Sequence, residues 1–155
     1  MIWKKPHISK IYEALTAIAD DRFELNGNRA KCYSSSGEKF YDIEYDPING
    51  GIMSNDNTAY FTYSLSYPMI GYLMLINKVP YEKKLLEILK DICWKDINQK
   101  FKNDYDKSIK LVLGELKSED QNVDFIRDEI KKIYDFIYKL QIKTLGKLQR
   151  PPKGY

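Results

Sequence analysis

The chain is poor in the residues that usually announce a chemistry. It has one histidine, His7, and two cysteines, Cys32 and Cys93, far apart and in no CxxC pair. No cluster has zinc-ligand spacing, which excludes a structural zinc site, and no cofactor is expected. With no GxSxG motif and a single histidine, a Ser–His or Cys–His nucleophile has no assignable partner. No GxxxxGK[ST] run is present, so a phosphate-binding P-loop is excluded. Two lone cysteines without a leader segment suit a reducing cytoplasm, buried thiols and no disulfide. Long apolar runs are missing as well. The best candidate, Pro68 to Ile76 (PMIGYLMLI), has the length of a buried helix, too short to span a bilayer. The opening MIWKKPHISK has no apolar run behind its lysines, unlike a secretory signal. No membrane partner is therefore expected, and the expected location is cytoplasmic. The formal net charge of +3 does not by itself argue for nucleic acid.

What is present is a globular composition, 43% hydrophobic and 30% charged, with 13 tyrosines in 155 residues. That length suits one domain with its own core. We expect a single α+β domain over residues 1–146 and a basic extended tail over 147–155. Ile8, Ile11, Tyr12, Leu15, Ile18 and Ala19 recur at helical spacing, predicting a helix over about 7–20 with one apolar stripe. The period then changes. Phe23-Glu24-Leu25 runs into Asn26-Gly27, a hairpin signal that places Asn26 and Gly27 at the tip. That tip sets Glu24 opposite Arg29 and Phe23 opposite Ala30. A second turn at Ser36-Gly37 sets Lys31 opposite Asp42, Arg29 opposite Glu44, Cys32 opposite Tyr41 and Ala30 opposite Ile43. One face then carries paired charges and the other apolar side chains.

Pro47 and Asn49-Gly50-Gly51 turn the chain into a short strand at about 51–55. Residues 58–65 permit either a strand or a helical turn. From Ser66 onward the pattern is helical. Pro68 and Pro80 suit helix starts, and the second of these helices buries Leu85, Leu86, Ile88, Leu89, Ile92 and Cys93. Tyr105 to Leu116 forms another stripe. Ser118-Glu119-Asp120-Gln121 reads as a capping box that opens the longest helix, which Gly146 ends. The fold class is therefore α+β: an N-terminal helix, a three- to four-stranded antiparallel β-meander, then a helical C-terminal half packed on one sheet face.

Three functional readings follow. The first is a non-catalytic binding protein for nucleic acid, or for a nucleic-acid-associated complex. Lys4, Lys5 and Lys10 crowd one end of the chain without carboxylates, and Lys139, Lys143, Lys147, Arg150 and Lys153 crowd the other. In this reading Lys4, Lys5, Lys143, Lys147, Arg150 and Lys153 meet phosphates, while Trp3 and Tyr155 supply aromatic stacking. The second is a protein-interaction or assembly subunit with Tyr60, Tyr63, Tyr67 and Tyr72 as its contact patch. The third is an enzyme, which needs a concave pocket holding a strongly perturbed carboxylate among Asp42, Glu44, Asp46 and Asp56. Asp42, Glu44 and Asp46, opposed by Arg29 and Lys31, read as a solvated ion-pair face. Asn55, Asp56 and Asn57 read as turn caps rather than ion ligands.

One pattern goes beyond composition and spacing. The run AKCYSSSGEKFYDIEYDPINGGIMSND, followed by YPMIGYLML, resembles the SWIM-type zinc-hairpin domain over residues 30–75. In that alignment the family's CxC falls on Ser54-Asn55-Asp56 and its CxH on Pro68-Met69-Ile70. All four metal ligands are absent. The resemblance thus implies a zinc-less relative of a module that binds DNA or proteins in that family.

Overall fold

The apolar positions of residues 8–19 do form a helix, α1 (Ser9–Ala19), but they do not give it one buried side. Every residue from Ser9 to Ala17 is buried. Helices α2 (Tyr67–Leu75), α3 (Lys84–Ile88), α5 (Tyr105–Ser118) and α6 (Val123–Leu140) all pack against α1. A helix enclosed this way buries its polar side chains along with its apolar ones. The computed structural model describes residues 1–153, and within them the fold is α+β.

Four strands follow α1 as an antiparallel meander in the order β1-β2-β3-β4: β1 (Phe23–Asn26), β2 (Arg29–Tyr33), β3 (Phe40–Tyr45) and β4 (Ile52–Ser54). The β2–β3 register is the expected one, with Lys31 opposite Asp42, Arg29 opposite Glu44, Cys32 opposite Tyr41 and Ala30 opposite Ile43. The first hairpin is shifted. Glu24 faces Lys31 and Phe23 faces Cys32, so the tip is Gly27-Asn28 rather than Asn26-Gly27. Gly27 takes the positive φ of 61°, while Asn26 stays in the strand, as a turn with glycine in its first central position requires. The shift moves each partner by two residues, so no side chain changes face. Ala30, Cys32, Tyr41, Ile43 and Ile52 line the buried face, and α2 packs against β3 and β4.

The chain ends complete the sheet beyond β4. Ile52 N–H donates to the Lys143 carbonyl at 3.0 Å, Trp3 N–H to Ile142 at 2.9 Å, and Lys4 N–H to Tyr63 at 3.0 Å. Single bridges join Ile52 with Thr144, Ile2 with Lys143, and Lys4 with Ser64. The approach is close enough that a Cβ at Gly51 would come within 2.8 Å of the Thr144 carbonyl oxygen. This arrangement covers an edge that would otherwise present unpaired backbone groups.

Several boundaries differ from expectation. Residues Thr58–Thr62 are a π-helical turn that Tyr63 ends at φ 58°. Asp91, at φ 61°, interrupts the helix after Pro80, so α3 is short and α4 (Trp94–Lys100) stands apart. The break leaves Cys93 exposed and Leu86, Ile88 and Ile92 half-buried. The N-cap of α6 is Asn122, whose Oδ1 accepts from Phe125 N–H at 3.1 Å, because α5 runs on through Ser118. Helix α6 stops at Leu140 with Gln141 left-handed, and Gly146 lies in the segment beyond. Its stripe of Ile126, Ile130, Ile133 and Ile137 is buried, roughly 1.5–3 kcal/mol of hydrophobic stabilisation for each such side chain. Among the described residues, no helix is long and apolar enough to cross a membrane.

Candidate functional site

The enclosure of α1 creates the site. Lys10 and Glu13, three residues apart on one face of the helix, form an ion pair at 3.1 Å. Their face borders a cavity of about 350 Å³. Helix α4 contributes Trp94 and Asn98, one turn apart, and α5 contributes Tyr105 from its first turn. The β2–β3 turn brings Ser34, Ser35 and Lys39, and the loop after β4 brings Asp56. Arg22, between α1 and β1, and Tyr67, at the start of α2, close the ring.

The ion pair of α1 is held away from water, while Arg22, Lys39 and Lys95 are half-buried. Glu13 is 8% exposed and Lys10 7%. Burial pushes the Glu13 carboxyl above the ordinary carboxylate range against the pull of Lys10. Burial also penalises the Lys10 ammonium, but Glu13 and Tyr105 more than offset this and hold its pKa above the usual lysine value. The ammonium sits 4.2 Å over the Tyr105 ring. Asn98 Nδ2 reaches Glu13 Oε1 at 3.5 Å, the outer limit of a hydrogen bond. Asn98 Oδ1 has no hydrogen-bond partner, and neither does Arg22 Nε. Arg22 Nη1 donates to the Tyr33 carbonyl at 3.3 Å. Both atoms are shut off from solvent without a partner, which is unusual because buried polar groups are nearly always satisfied.

Asp56 is the second buried carboxylate, at 4% exposure. Its Oδ1 accepts from Ala59 N–H at 2.9 Å, and its Oδ2 accepts from the Ser66 hydroxyl. Burial raises its pKa in spite of these donors. The expected turn cap is therefore real, and the same carboxylate also lines the cavity. Cys32 lies beneath, its thiol pushed up to about 12 by burial. Below the polar wall, Trp94 Nε1 donates to Thr16 Oγ1 at 2.9 Å, and Thr16 Oγ1 donates to the Leu89 carbonyl at 2.7 Å.

The basic ends are brought together in part. Ile2 pairs with Lys143, so Lys4, Lys5 and Lys143 share one edge, all exposed, with Lys147, Arg150 and Lys153 exposed farther along. Lys5 lies over the rings of Tyr134 and Tyr138, at 4.6 and 4.7 Å. Trp3 does not fit a stacking role. It is 6% exposed, and its Nε1 donates to the Ile52 carbonyl at 2.8 Å. Tyr155 lies outside the described residues. Lys10, grouped with the basic end by sequence, is buried in the cavity instead.

The four tyrosines of the expected contact patch point different ways. Tyr72 is 1% exposed and meets Tyr45 at a tilt, Tyr67 lines the cavity, Tyr63 packs on Trp3, and Tyr60 meets Phe61. Of the meander carboxylates, Asp42 is exposed and Glu44 and Asp46 are half-buried, with Glu44 3.5 Å from Arg29. Only Asp56 of that group reaches the cavity. Sequence reasoning missed Glu13, Arg22 and Asn98. The available signal was a Lys-x-x-Glu pair set inside a run of apolar helix positions.

A model of a family described as uncharacterised conserved protein UCP014422 matches residues 3–143. The chain belongs to this family. The matched stretch contains the cavity-lining residues named above and Lys143, while Lys147, Arg150 and Lys153 lie beyond it. No curated protein and no solved structure matches the chain. The family match gives no support to the zinc-hairpin resemblance of residues 30–75. The positions aligned with that module's ligands do other work. Asn55 Oδ1 accepts from Asp42 N–H at 2.8 Å, Asp56 caps the π-helical turn, and Met69 and Ile70 are core. Among the described residues, no three His, Cys, Asp or Glu side chains gather at a metal-binding distance.

Proposed function

We propose that the protein binds a small anionic molecule in the cavity beside α1. The observation that carries this reading is the composition of the wall. Four cationic side chains, Lys10, Arg22, Lys39 and Lys95, and two carboxylates, Glu13 and Asp56, line one half-open cavity. An excess of positive charge in a low-dielectric recess favours an anion, and such pockets are the usual home of small ligands. The test is thermal denaturation in rising inorganic phosphate, sulfate and citrate. We expect a concentration-dependent rise in Tm that shrinks in Lys39→Ala and Lys95→Ala, because a ligand that binds only the folded state stabilises it by mass action. A Tm indifferent to all three anions would sink the reading.

A second reading is favoured by a different observation, the pairing of the two chain ends. It sets a nucleic-acid backbone, or a nucleic-acid-associated complex, against Lys4, Lys5, Lys143, Lys147, Arg150 and Lys153. Each phosphate neutralised contributes about −0.9 to the slope of log affinity against log salt on duplex DNA. A salt titration on single- and double-stranded oligonucleotides tests it, with Lys143, Lys147, Arg150 and Lys153 changed to Gln in a companion variant. The expected result is salt-sensitive binding with a shallower slope in the variant, and absence of binding at low salt removes the idea. A protein partner on the tyrosine-rich segment has less support, because Tyr67 and Tyr72 are turned inward.

A further inference from the structure

Another, smaller cavity, of about 180 Å³, lies between the N-terminal segment and α6. Helix α6 supplies Tyr134, Ile137 and Tyr138, whose spacing puts them on one face. Backbone bonds hold the opposite wall. Trp3 N–H donates to the Ile142 carbonyl at 2.9 Å, and Leu65 N–H donates to the Lys4 carbonyl at 3.1 Å. The buried part of the lining is apolar, with Trp3, Leu65 and Ile137 only 6%, 2% and 5% exposed. Trp3 Nε1 is committed to the Ile52 carbonyl, so the indole offers a ligand no free donor. Such a lining favours an apolar body, and a cavity of about 150 Å³ is enough for a benzene ring.

The charge here has one sign. Lys4 and Lys5 are exposed and line the cavity, and none of the described lining residues is Asp or Glu. The carboxylate that acts on Lys5, Asp135, is itself paired with Lys131 at 3.0 Å. The rings of Tyr134 and Tyr138 meet part of the Lys5 charge, so a singly charged acid matches the site better than a dianionic phosphate. We propose that this pocket binds a small hydrophobic carboxylate, with a body about the size of one ring against Trp3, Leu65 and Ile137 and the acid group at Lys4 and Lys5. The site shares no lining residue with the cavity beside α1, and it asks of Lys4 and Lys5 a carboxylate rather than a nucleic-acid backbone.

The experiment is a heteronuclear NMR titration of the intact protein with benzoate, benzyl alcohol and acetate at fixed pH and ionic strength. The two tryptophans line different cavities, Trp3 this one and Trp94 the one beside α1, so their indole N–H signals report the two separately. Benzoate should move the Trp3 signal saturably. It should bind about fivefold more tightly than uncharged benzyl alcohol, the worth of exposed ion pairing. Acetate, which lacks the ring, should bind at least about tenfold more weakly than benzoate. In a variant combining Lys4→Gln and Lys5→Gln, both exposed positions, the advantage over benzyl alcohol should vanish while benzyl alcohol binds as before. A Trp3 signal indifferent to benzoate, equal affinity for benzoate and either control, or an advantage that survives the double variant overturns the inference. A benzoate response at Trp94 alone overturns it too, and supports the anion cavity instead.

Discussion

Helices α1 and α6 make an instructive pair. Both carry an apolar stripe at helical spacing with charges between, and by periodicity they look alike. Helix α6 behaves as the pattern says. Four isoleucines face inward, and its Lys131–Asp135 ion pair, at 3.0 Å, stays in water. Helix α1 buries its stripe and then its polar face as well, because four other helices and the β2–β3 turn surround it. The same kind of ion pair, Lys10–Glu13, is thereby moved from a solvated surface into the wall of a cavity. Periodicity reports which face packs first. It does not report whether the opposite face will find water.

The sharpest way to break the comparison is to cut both ion pairs from the lysine side. Lys10→Ala strands a buried carboxylate and should cost about 3–5 kcal/mol in urea unfolding at neutral pH. The matched change on α6, Lys131→Ala, should stay within about 0.5 kcal/mol, since exposed pairs contribute little. Equal costs would mean that the α1 pair is solvated after all.

Asp56→Ala comes next. It leaves the Ala59 N–H and the Ser66 hydroxyl without an acceptor, an expected loss of about 2–3 kcal/mol. Asp42→Ala, on the exposed sheet face, should move the urea midpoint barely at all. A smaller effect appears in the pH dependence. The folded-state pKa of Glu13 is raised, so between the ordinary carboxylate pKa and the raised one the folded chain holds more protons than the unfolded chain. Stability contributed at Glu13 therefore falls as pH rises through that window, by at most about 1.4 kcal/mol per pH unit for a single group. Subtracting the stability-versus-pH curve of Glu13→Gln from that of the wild type should recover this falling slope. A difference that is flat, or that rises with pH, would show Glu13 ionising as an exposed carboxylate does.

Much of the fold is legible in the sequence where local rules decide. The β2–β3 register follows from Arg29 and Lys31 finding Glu44 and Asp42, since any odd slip would expose Ala30, Cys32, Tyr41 and Ile43. The β1–β2 tip misleads by one residue because Asn-Gly and Gly-Asn both satisfy a tight turn. The end of α6 misleads because Gln141 adopts the left-handed conformation usually left to glycine. The candidate site is legible only in fragments. Asp56 reads correctly as a cap, and Lys10 reads only as one of three lysines crowding the start of the chain.

By itself the sequence determined the α+β class, the meander and its faces, the amphipathic helices and the absence of zinc-type ligand clusters, all matters of neighbours in the chain or of strand and helix period. Tertiary structure alone decided that α1 would be enclosed, that Lys10, Glu13, Arg22, Asp56 and Asn98 would meet around one cavity, and that the two basic ends would pair beside β4. Those outcomes depend on desolvation and on contacts between residues distant in sequence. A charge pattern carries no record of how much water will remain around it once the other layers close.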